Sequence, residues 1–307
     1  MTRIASSMIN SNALTDLQRA QRELFDAQRK TATQRSAEDL KGYGSDARTV
    51  VSLDRMRAQS EAYKSSAEEL TTRLDLQDAH IGRAADVVGT LREKLTNALA
   101  LGDLSSVGSD ISAAFADLKS SFNATLNGKY LFGGNLPTEA PIVSDSISDL
   151  ANNPLADAVN SDASTVQVRI DKSRLVDEAP LAHEISQDSL TILRDLQIFA
   201  ESVDGPFTEN PTQAQQDAIK SALSQMKSVY EGLIEAQGKN GRVLNETDGA
   251  IERHTSERDL LEALSADITD VDLAEVAVQL NQAQLQYQAT ASVFNTIQDL
   301  SLVNLLR

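Results

Sequence analysis

The chain has 307 residues, which is enough for one to three domains. Its 45 acidic and 28 basic side chains give a formal net charge of −17, which argues against nucleic acid as a partner, because phosphate binding needs a basic surface. Cysteine is absent, so disulfides, thiol nucleophiles and cysteine-ligated metals are excluded. Tryptophan is absent too, and Phe and Tyr together total 12 residues. So few large aromatic side chains are unusual for an enzyme with one thick core.

The charge is unevenly distributed along the chain. Residues 1–64 contain 11 basic and 8 acidic residues, a net charge of +3, which leaves −20 for the remainder. Such asymmetry is typical of complementary surfaces, either between the two ends of one chain or between copies.

The sequence shows neither a secretory signal peptide nor a membrane-spanning segment. Residues 1–18 contain one arginine and no continuous apolar stretch, so they are not predicted to be a secretory signal peptide. No stretch reaches the roughly 18–20 apolar residues of a membrane span. A cytosolic protein and a protein exported without a cleaved signal both fit.

The six prolines lie at positions 137, 141, 154, 180, 206 and 211, so residues 1–136 and 212–307 contain none. Proline breaks a helix, because it removes an N–H donor and clashes with the preceding turn. The distribution therefore predicts two long helical arms that flank a different kind of middle segment.

The first arm shows helical periodicity almost throughout. Leucines and alanines spaced three or four residues apart predict an amphipathic helix over residues 13–37. Gly42 and Gly44 interrupt it, and Ser45-Asp46 is typical of an N-cap. A coiled-coil-like helix then continues to about Ala98. After a turn, a shorter helix with Phe115, Phe122 and Leu126 on one face is predicted to end at Asn127-Gly128.

The middle of the chain changes character. Residues 129–180 hold four of the six prolines and many Ser, Asp and Asn residues. The alternation of polar and apolar residues over 165–170 predicts a strand. We therefore expect a small β-containing insert, and we expect the helical arms to survive removal of residues 138–178.

Helical periodicity resumes at about residue 181 and stops at Gly205-Pro206. Asn210-Pro211 is typical of an N-cap followed by proline at the first helical position, which predicts the start of the next helix. Gly238, Gly241 and Gly249 predict bends in that helix.

The last helix is predicted to start near Thr269-Asp270, with Asp270, Asp272 and Glu275 in or near its first turn. An apolar stripe with alternating steps of three and four residues runs from Leu273 to Ile297, and no charged residue lies between Val276 and Gln298. Such a stripe needs a partner, which is either an assembly or the chain's own N-terminal arm. Both alternatives stay open on sequence alone.

No catalytic, cofactor or metal site is predicted, and the chain is not expected to be an enzyme. His183-Glu184 begins like a zinc-protease helix, but Gln187 stands where the second histidine is needed. Gly238-Lys239-Asn240-Gly241 lacks the pattern of a phosphate-binding loop. Two matches to the N-glycosylation pattern, at Asn123 and Asn245, fall in predicted helices.

Two segments carry a resemblance to a known superfamily. The tail from Asp267 to Glu275, followed by an Ala/Gln/Leu heptad helix and a leucine-rich end, resembles the C-terminus of bacterial flagellins. Lys129-Tyr130-Leu131-Phe132-Gly133-Gly134, followed by Pro137 and Pro141, is similar to the segment before the variable insert in the family of flagellar hook-associated protein 3, the hook–filament junction proteins. One departure is that residues 33–37 lack the glycine usual in the loop after the first helix.

The resemblance implies a structural subunit of the bacterial flagellum that joins hook to filament through helical self-assembly. It implies a homo-oligomeric ring between the preceding hook-associated junction protein and flagellin, a probable export chaperone, and export without a cleaved signal to the extracellular hook–filament junction. A filament flagellin is the nearest alternative. A cytosolic coiled-coil binding adaptor is the alternative from another class.

The expected fold is mainly α, a long coiled-coil-like helical rod from the N- and C-terminal arms with a small β-containing insert. We expect an assembly helix over 1–42, rod segments over 43–136 and 181–266, the insert over 137–180, and a second assembly helix over 267–307. The residues expected at the assembly interface are Leu14, Leu17, Leu24, Leu273, Val276, Leu280, Tyr287, Phe294 and Ile297.

Overall fold

The computed structural model describes the backbone of residues 2–160, 164–178 and 180–305, and the side chains of Met8 and of the same ranges between residues 11 and 299. The predicted mainly α fold with a small β-containing part is confirmed. The helices of the described chain are α1 (Thr2–Thr33), α2 (Ala47–Leu101), α3 (Val107–Phe122), α4 (Ile147–Asn152), α5 (Leu155–Ala158), α6 (Ala182–Ala200), α7 (Gln213–Thr269) and α8 (Leu273–Leu305). The strands are β1 (Thr125–Leu126), β2 (Lys129–Tyr130), β3 (Gln167–Asp171) and β4 (Arg174–Asp177).

The chain forms two compact units. Unit 1 consists of Met1–Gln59 and Ser256–Arg307, and unit 2 consists of Ser60–Thr255. The long helices α2 and α7 therefore contribute residues to both units. The leucine-rich tail after residue 301, which carries part of the resemblance, lies outside the described side chains.

In unit 2, α2 and α7 pack antiparallel along a heptad seam. Asn240 and Gln237 of α7 donate hydrogen bonds to the main-chain carbonyls of Leu74 and Asp78, so the residue number falls along α2 as it rises along α7. Ten buried positions of α2 between Ala67 and Ala98 follow alternating steps of three and four residues, which is the spacing that keeps one seam facing a partner helix. These positions are Ala67, Leu70, Leu74, Gln77, Ile81, Ala84, Val88, Leu91, Leu95 and Ala98.

Polar side chains occupy several positions of this seam, and each makes a specific bond. Gln77 donates to the carbonyl of Leu131 at 2.7 Å, and His254 Nε2 lies 2.9 Å from the carbonyl oxygen of Ile170. Arg73, one turn before Gln77, donates to the carbonyls of Tyr130 and Leu131, each at 2.9 Å. The seam thus fixes the β-containing segments to the helix pair.

The segment predicted as an insert belongs to the cores of unit 2. Ile142, Ile147 and Leu150 are buried in one hydrophobic cluster with residues of α2, α3, α6 and α7. Ile170 and Val176 of the β3–β4 hairpin are buried in a second cluster with Ala67, Leu70, Leu74 and Ala250. The strand predicted over 165–170 is confirmed as β3, from Gln167 to Asp171.

The predicted end of α3 was wrong. The helix ends at Phe122, and Asn127-Gly128, with φ of 53° and 77°, forms the turn of the β1–β2 hairpin instead. The Asn123 side chain both donates to the carbonyl of Ile142 and accepts from its amide, at 2.8 Å each. These bonds hold Asn123 outside the helix, so the glycosylation match there is not helical.

Helix α7 is one helix through Gly238, Gly241 and Gly249, because the heptad burial on its seam outweighs the roughly 1 kcal/mol that each glycine costs a helix. The starts of two helices differ from prediction. Thr212, not Asn210, caps α7, since its hydroxyl accepts from the amide of Gln215 at 3.2 Å. Helix α8 starts at Leu273, after a cap by Asp272.

Candidate assembly interface on helices α1 and α8

Helices α1 and α8 pack against each other in unit 1. On α1 the most buried side chains are Ala20 and Ala27, and on α8 they are Val276 and Ala283. These residues are small, so the two backbones approach closely, and the larger side chains flank the seam. The arrangement follows from the heptad spacing, which places one residue of each turn on the contact face.

The residues predicted at the assembly interface divide into three groups. Val276 is buried, and Leu14 and Leu273 are exposed. The others are half-buried along the α1–α8 pair: Leu17, Leu24, Leu280, Tyr287, Phe294 and Ile297. The structure therefore brings most of the predicted stripe onto the pairing face of α8, where α1 covers part of it.

The seam is not closed along its whole length. A groove of about 530 Å³ lies between α1 and the second half of α8. Its lining includes Ala13 and Asp16 on α1 and Thr290, Val293 and Ile297 on α8. Apolar surface of both helices is thus accessible there.

A second apolar stripe on α8 was missed by the sequence analysis. Val278, Leu285 and Val293 are 64%, 67% and 57% exposed, respectively. Val278 and Leu285 point away from the pairing face, because each lies two residues beyond a buried position of the first stripe, a rotation of about 200°. Val293 lies at the edge of that stripe, in the lining of the groove. A search for a second, offset repeat in the same helix would have found them.

Between residues 276 and 298 the outer face of α8 also lacks charge. Its polar side chains there are amides and hydroxyls, and Thr296 donates its hydroxyl proton to the main-chain carbonyl of Ser292 at 2.9 Å. Amides and satisfied hydroxyls are desolvated at much lower cost than ions. A helix with aliphatic residues and no ions on its free face is suited to burial against another protein surface.

The loop after α1 is fixed to the loop before α8. Gln34 adopts the left-handed conformation (φ 59°) directly after the helix, and its carbonyl accepts from the amide of Val271 at 3.1 Å. The amide of Ser36 donates to the carbonyl of Thr269 at 2.8 Å. Gln34 thus occupies a conformation for which glycine is usual after a helix.

The described residues contain no group of three or more His, Asp or Glu side chains arranged to hold a metal ion. A polar cleft of about 840 Å³ in unit 1 is lined by both cations and carboxylates, among them Arg35, Lys41, Arg57, Asp54 and Glu262. Among the described helices, none is long and apolar enough to cross a lipid bilayer.

No protein-family model matches the chain, and no curated protein matches it in sequence. Solved structures do match. One is a Vibrio parahaemolyticus protein assigned as a flagellar hook-associated protein, with a TM-score of 0.60 and 19% identity over 73% of this chain and 97% of that one. FlgL of Bacillus cereus and FlgL of Xanthomonas campestris each give a TM-score of 0.57 and 14% identity over 70% of this chain and 99% of theirs.

These matches leave more than a quarter of this chain uncovered, but they span nearly the whole of each solved chain. At such identities the likeness concerns the fold. The resemblance that the terminal motifs and residues 129–134 indicate is confirmed at that level: this chain has the fold of the flagellar hook-associated proteins.

Proposed function

We propose that this chain is a structural subunit of the bacterial flagellum that joins hook to filament by helical self-assembly. The observation that carries the proposal is the free face of α8, with Val278 and Leu285 exposed on a helix without charge from residue 276 to 298. The opposite face of the same helix is already engaged by α1. A helix that is apolar on both sides is suited to a packed assembly.

The proposed partners follow from this role. The subunits form a homo-oligomeric ring that contacts flagellin on one side and the preceding hook-associated junction protein on the other. An export chaperone covers the apolar face of α8 before assembly. The site of action is the extracellular hook–filament junction, reached without a cleaved signal, and the role is not enzymatic.

The proposed interface combines Leu17, Leu24, Leu273 and Val276 of the pairing face with Leu14, which is exposed on α1, and with the outer face of α8. The pairing face sets the geometry of the helix pair, and the outer face provides the surface for neighbouring subunits. Leu280, Tyr287, Phe294 and Ile297 complete the pairing face.

Gene deletion and localisation test the role. Cells that lack the gene should synthesise and export flagellin yet carry hooks without filaments, and an antibody should label the hook–filament boundary. Normal filaments in the deletion strain would remove the junction role and favour the filament-flagellin alternative. Detection in the cytoplasm only, never in sheared flagella or hook preparations, would favour the coiled-coil adaptor.

Substitutions on α8 test the interface. Leu285→Asp should leave the circular dichroism of the monomer unchanged and block complementation of the deletion strain, because burying one carboxylate in an interface costs several kcal/mol. Leu280→Asp or Phe294→Asp should block assembly too, with loss of α1–α8 helicity but an intact unit 2. Leu175→Asp is the matched control, since Leu175 is an exposed leucine on β4. Wild-type assembly by Leu285→Asp would refute the outer face as an interface.

A further inference from the structure

One end of unit 2 carries two apolar side chains on ordered loops. Leu101, the last residue of α2, is 82% exposed, and Val203, just after α6, is fully exposed. Single exposed aliphatic residues are normal on protein surfaces. Here, however, the two loops are joined, because the amide of Leu104 donates to the carbonyl of Thr208 at 3.0 Å.

The loops beneath these residues are firmly held. The buried Gln215 side chain donates to the carbonyls of Asp204 and Pro206, at 3.0 and 2.8 Å. The rings of Phe199 and Phe207 stack with centroids 5.6 Å apart. A surface that is ordered before binding loses little conformational entropy when a partner docks.

The two loops at this end of the unit are acidic and contain no basic residue. No Lys, Arg or His lies between Lys94 and Lys119, or between Arg194 and Lys220. Four exposed carboxylates lie in the two loops, and we name these loops, residues 101–107 and 201–212, the acidic tip. The carboxylates are Asp103, Glu201, Asp204 and Glu209.

A complementary surface exists on α1 of the same sequence. At 100° per residue, Leu14, Gln18, Arg22, Phe25 and Arg29 fall in one stripe on the side away from Ala20 and Ala27. We name this stripe the basic face of α1. Leu14 and Phe25 are both exposed.

One carboxylate borders the basic face, because Asp26 lies four residues after Arg22 and thus about 40° around the helix. Asp16 and Glu23 project from other sides. Arg29 is paired with Asp26 at 2.8 Å and with Glu38 at 3.3 Å, whereas Arg22 donates to the main-chain carbonyl of Gln18. Arg22 is thus the cation best placed to meet a carboxylate from outside.

We propose that the acidic tip of one copy of this chain docks on the basic face of α1 in a second copy. The proposal deepens the proposed function, because it names one contact of the self-assembly. Each surface offers two apolar side chains, and the charges are opposite. Because the two surfaces differ, a copy that docks with its acidic tip keeps its basic face free for the next copy. The contact can therefore repeat from copy to copy in one direction.

Disulfide trapping tests the contact directly, since the chain has no cysteine of its own. Val203→Cys and Phe25→Cys variants, made with different size tags, are mixed under mild oxidation, and the heterodimer is quantified on non-reducing gels. Val143→Cys replaces Val203→Cys in the control, because Val143 is an exposed valine elsewhere in unit 2. We expect several-fold more heterodimer with Val203→Cys than with the control.

Charge reversal supplies a second measurement. Asp204→Lys with Glu209→Lys should reduce trapping about fivefold at low ionic strength, since exposed ion pairs contribute about 0.2–1 kcal/mol each. Adding Arg22→Glu to the partner copy should restore it. Equal trapping with Val143→Cys, or no effect of charge reversal, would overturn the proposal. A chain that carries both Val203→Cys and Phe25→Cys and forms its disulfide only within itself would overturn it too.

The outcome of the trapping experiment can be separated from the outcome of the test of the α8 interface. All trapping is repeated in the Leu285→Asp background, where the outer face of α8 is blocked. Trapping that persists there supports the tip contact, whatever the fate of the α8 interface. Loss of trapping in chains that still assemble removes the tip contact alone.

Discussion

The side-chain amide of Asn240, on α7, donates a hydrogen bond of 2.8 Å to the main-chain carbonyl of Leu74, on α2. Both residues are buried, and Asn240 Oδ1 has no hydrogen-bond partner. The carbonyl of Leu74 also accepts its own helical bond. Asn240 therefore adds one bond to a group that is already satisfied, and it leaves one acceptor buried without a donor.

Substitution of Asn240 should separate these two effects. Asn240→Leu should change the free energy of unfolding by less than about 1 kcal/mol, or raise it, because it removes the unpaired oxygen and fills a similar volume. Asn240→Asp should lower it by about 3 kcal/mol or more, because a buried carboxylate would face a carbonyl oxygen.

Urea denaturation monitored by circular dichroism gives both values for Asn240. Asn245→Asp, at an exposed position of the same helix, is the control and should be close to wild type. A stable Asn240→Asp variant would contradict the buried geometry.

Replacing Gln34 with glycine should stabilise the end of α1. The left-handed conformation of Gln34 costs an L-residue about 1–2 kcal/mol, and glycine removes this cost. Glycine also loses more chain entropy on folding, which reduces the gain by about 0.5–1 kcal/mol. We expect slower hydrogen exchange at the last amides of α1 in Gln34→Gly. Gln28→Gly, at an exposed position inside the helix, should accelerate exchange by destabilising it by about 1 kcal/mol. Changes of the same sign in both variants would count against this account.

The contact between Arg174 of β4 and Glu246 of α7 should make stability sensitive to acid. The hydrogen bond from Arg174 lowers the pKa of Glu246 below its ordinary value. A carboxyl whose pKa is lowered by folding stabilises the protein above its unfolded pKa of about 4.3, and this contribution is lost as pH falls through the folded pKa. Glu246→Gln should therefore lose stability at neutral pH and approach wild type in acid.

Thermal unfolding of wild type and Glu246→Gln from neutral pH to about pH 3 measures that convergence. Glu252→Gln, at an exposed position of the same helix, serves as a comparison for the general effect of removing one negative charge. A constant difference in melting temperature at all pH values would show that ionisation of Glu246 is not the cause.

Removal of residues 138–178 should unfold much of unit 2. The sequence led us to expect an insert that could be deleted, but Ile142, Leu150 and Ile170 are fully buried in the cores. Truncating one large core side chain typically costs about 2–5 kcal/mol, so losing three exceeds the stability of most domains. Loss of the cooperative thermal transition is the expected result.

The turn of the β3–β4 hairpin provides the matched control for that deletion. Exchanging Lys172-Ser173 for Asn-Gly keeps both strands and changes only exposed residues, so the thermal transition should remain close to that of wild type. A deletion variant with the same transition as this control would show that the segment is peripheral after all.

The long helices were predictable because their signal is local and repeated. The apolar positions of α2, such as Leu70, Leu74, Ile81 and Val88, keep heptad spacing, and the same pattern identifies a helix without knowledge of its partner. The end of α3 was not predictable in this way. It depends on the bonds between Asn123 and Ile142, which are nineteen positions apart in sequence.

The candidate interface was predicted in part. The stripe from Val276 to Ile297 was visible because its period matches one face of a helix. The outer stripe with Leu285 was hidden among glutamines, since a search for one amphipathic face assumes that the other is polar. The acidic tip was missed because its two loops are a hundred residues apart and meet only through the fold.

The unbroken heptads of α2 and α7 have a consequence for how this chain can change in evolution. Inserting one residue into either helix within unit 2 would rotate every later seam position by about 100° and expose half of the core. Only insertions or deletions of seven residues, matched in both helices, keep the seam in register. We therefore expect the paired helices of related chains to differ in length by whole heptads, and single-residue insertions to lie in the hairpin turns and the tip loops.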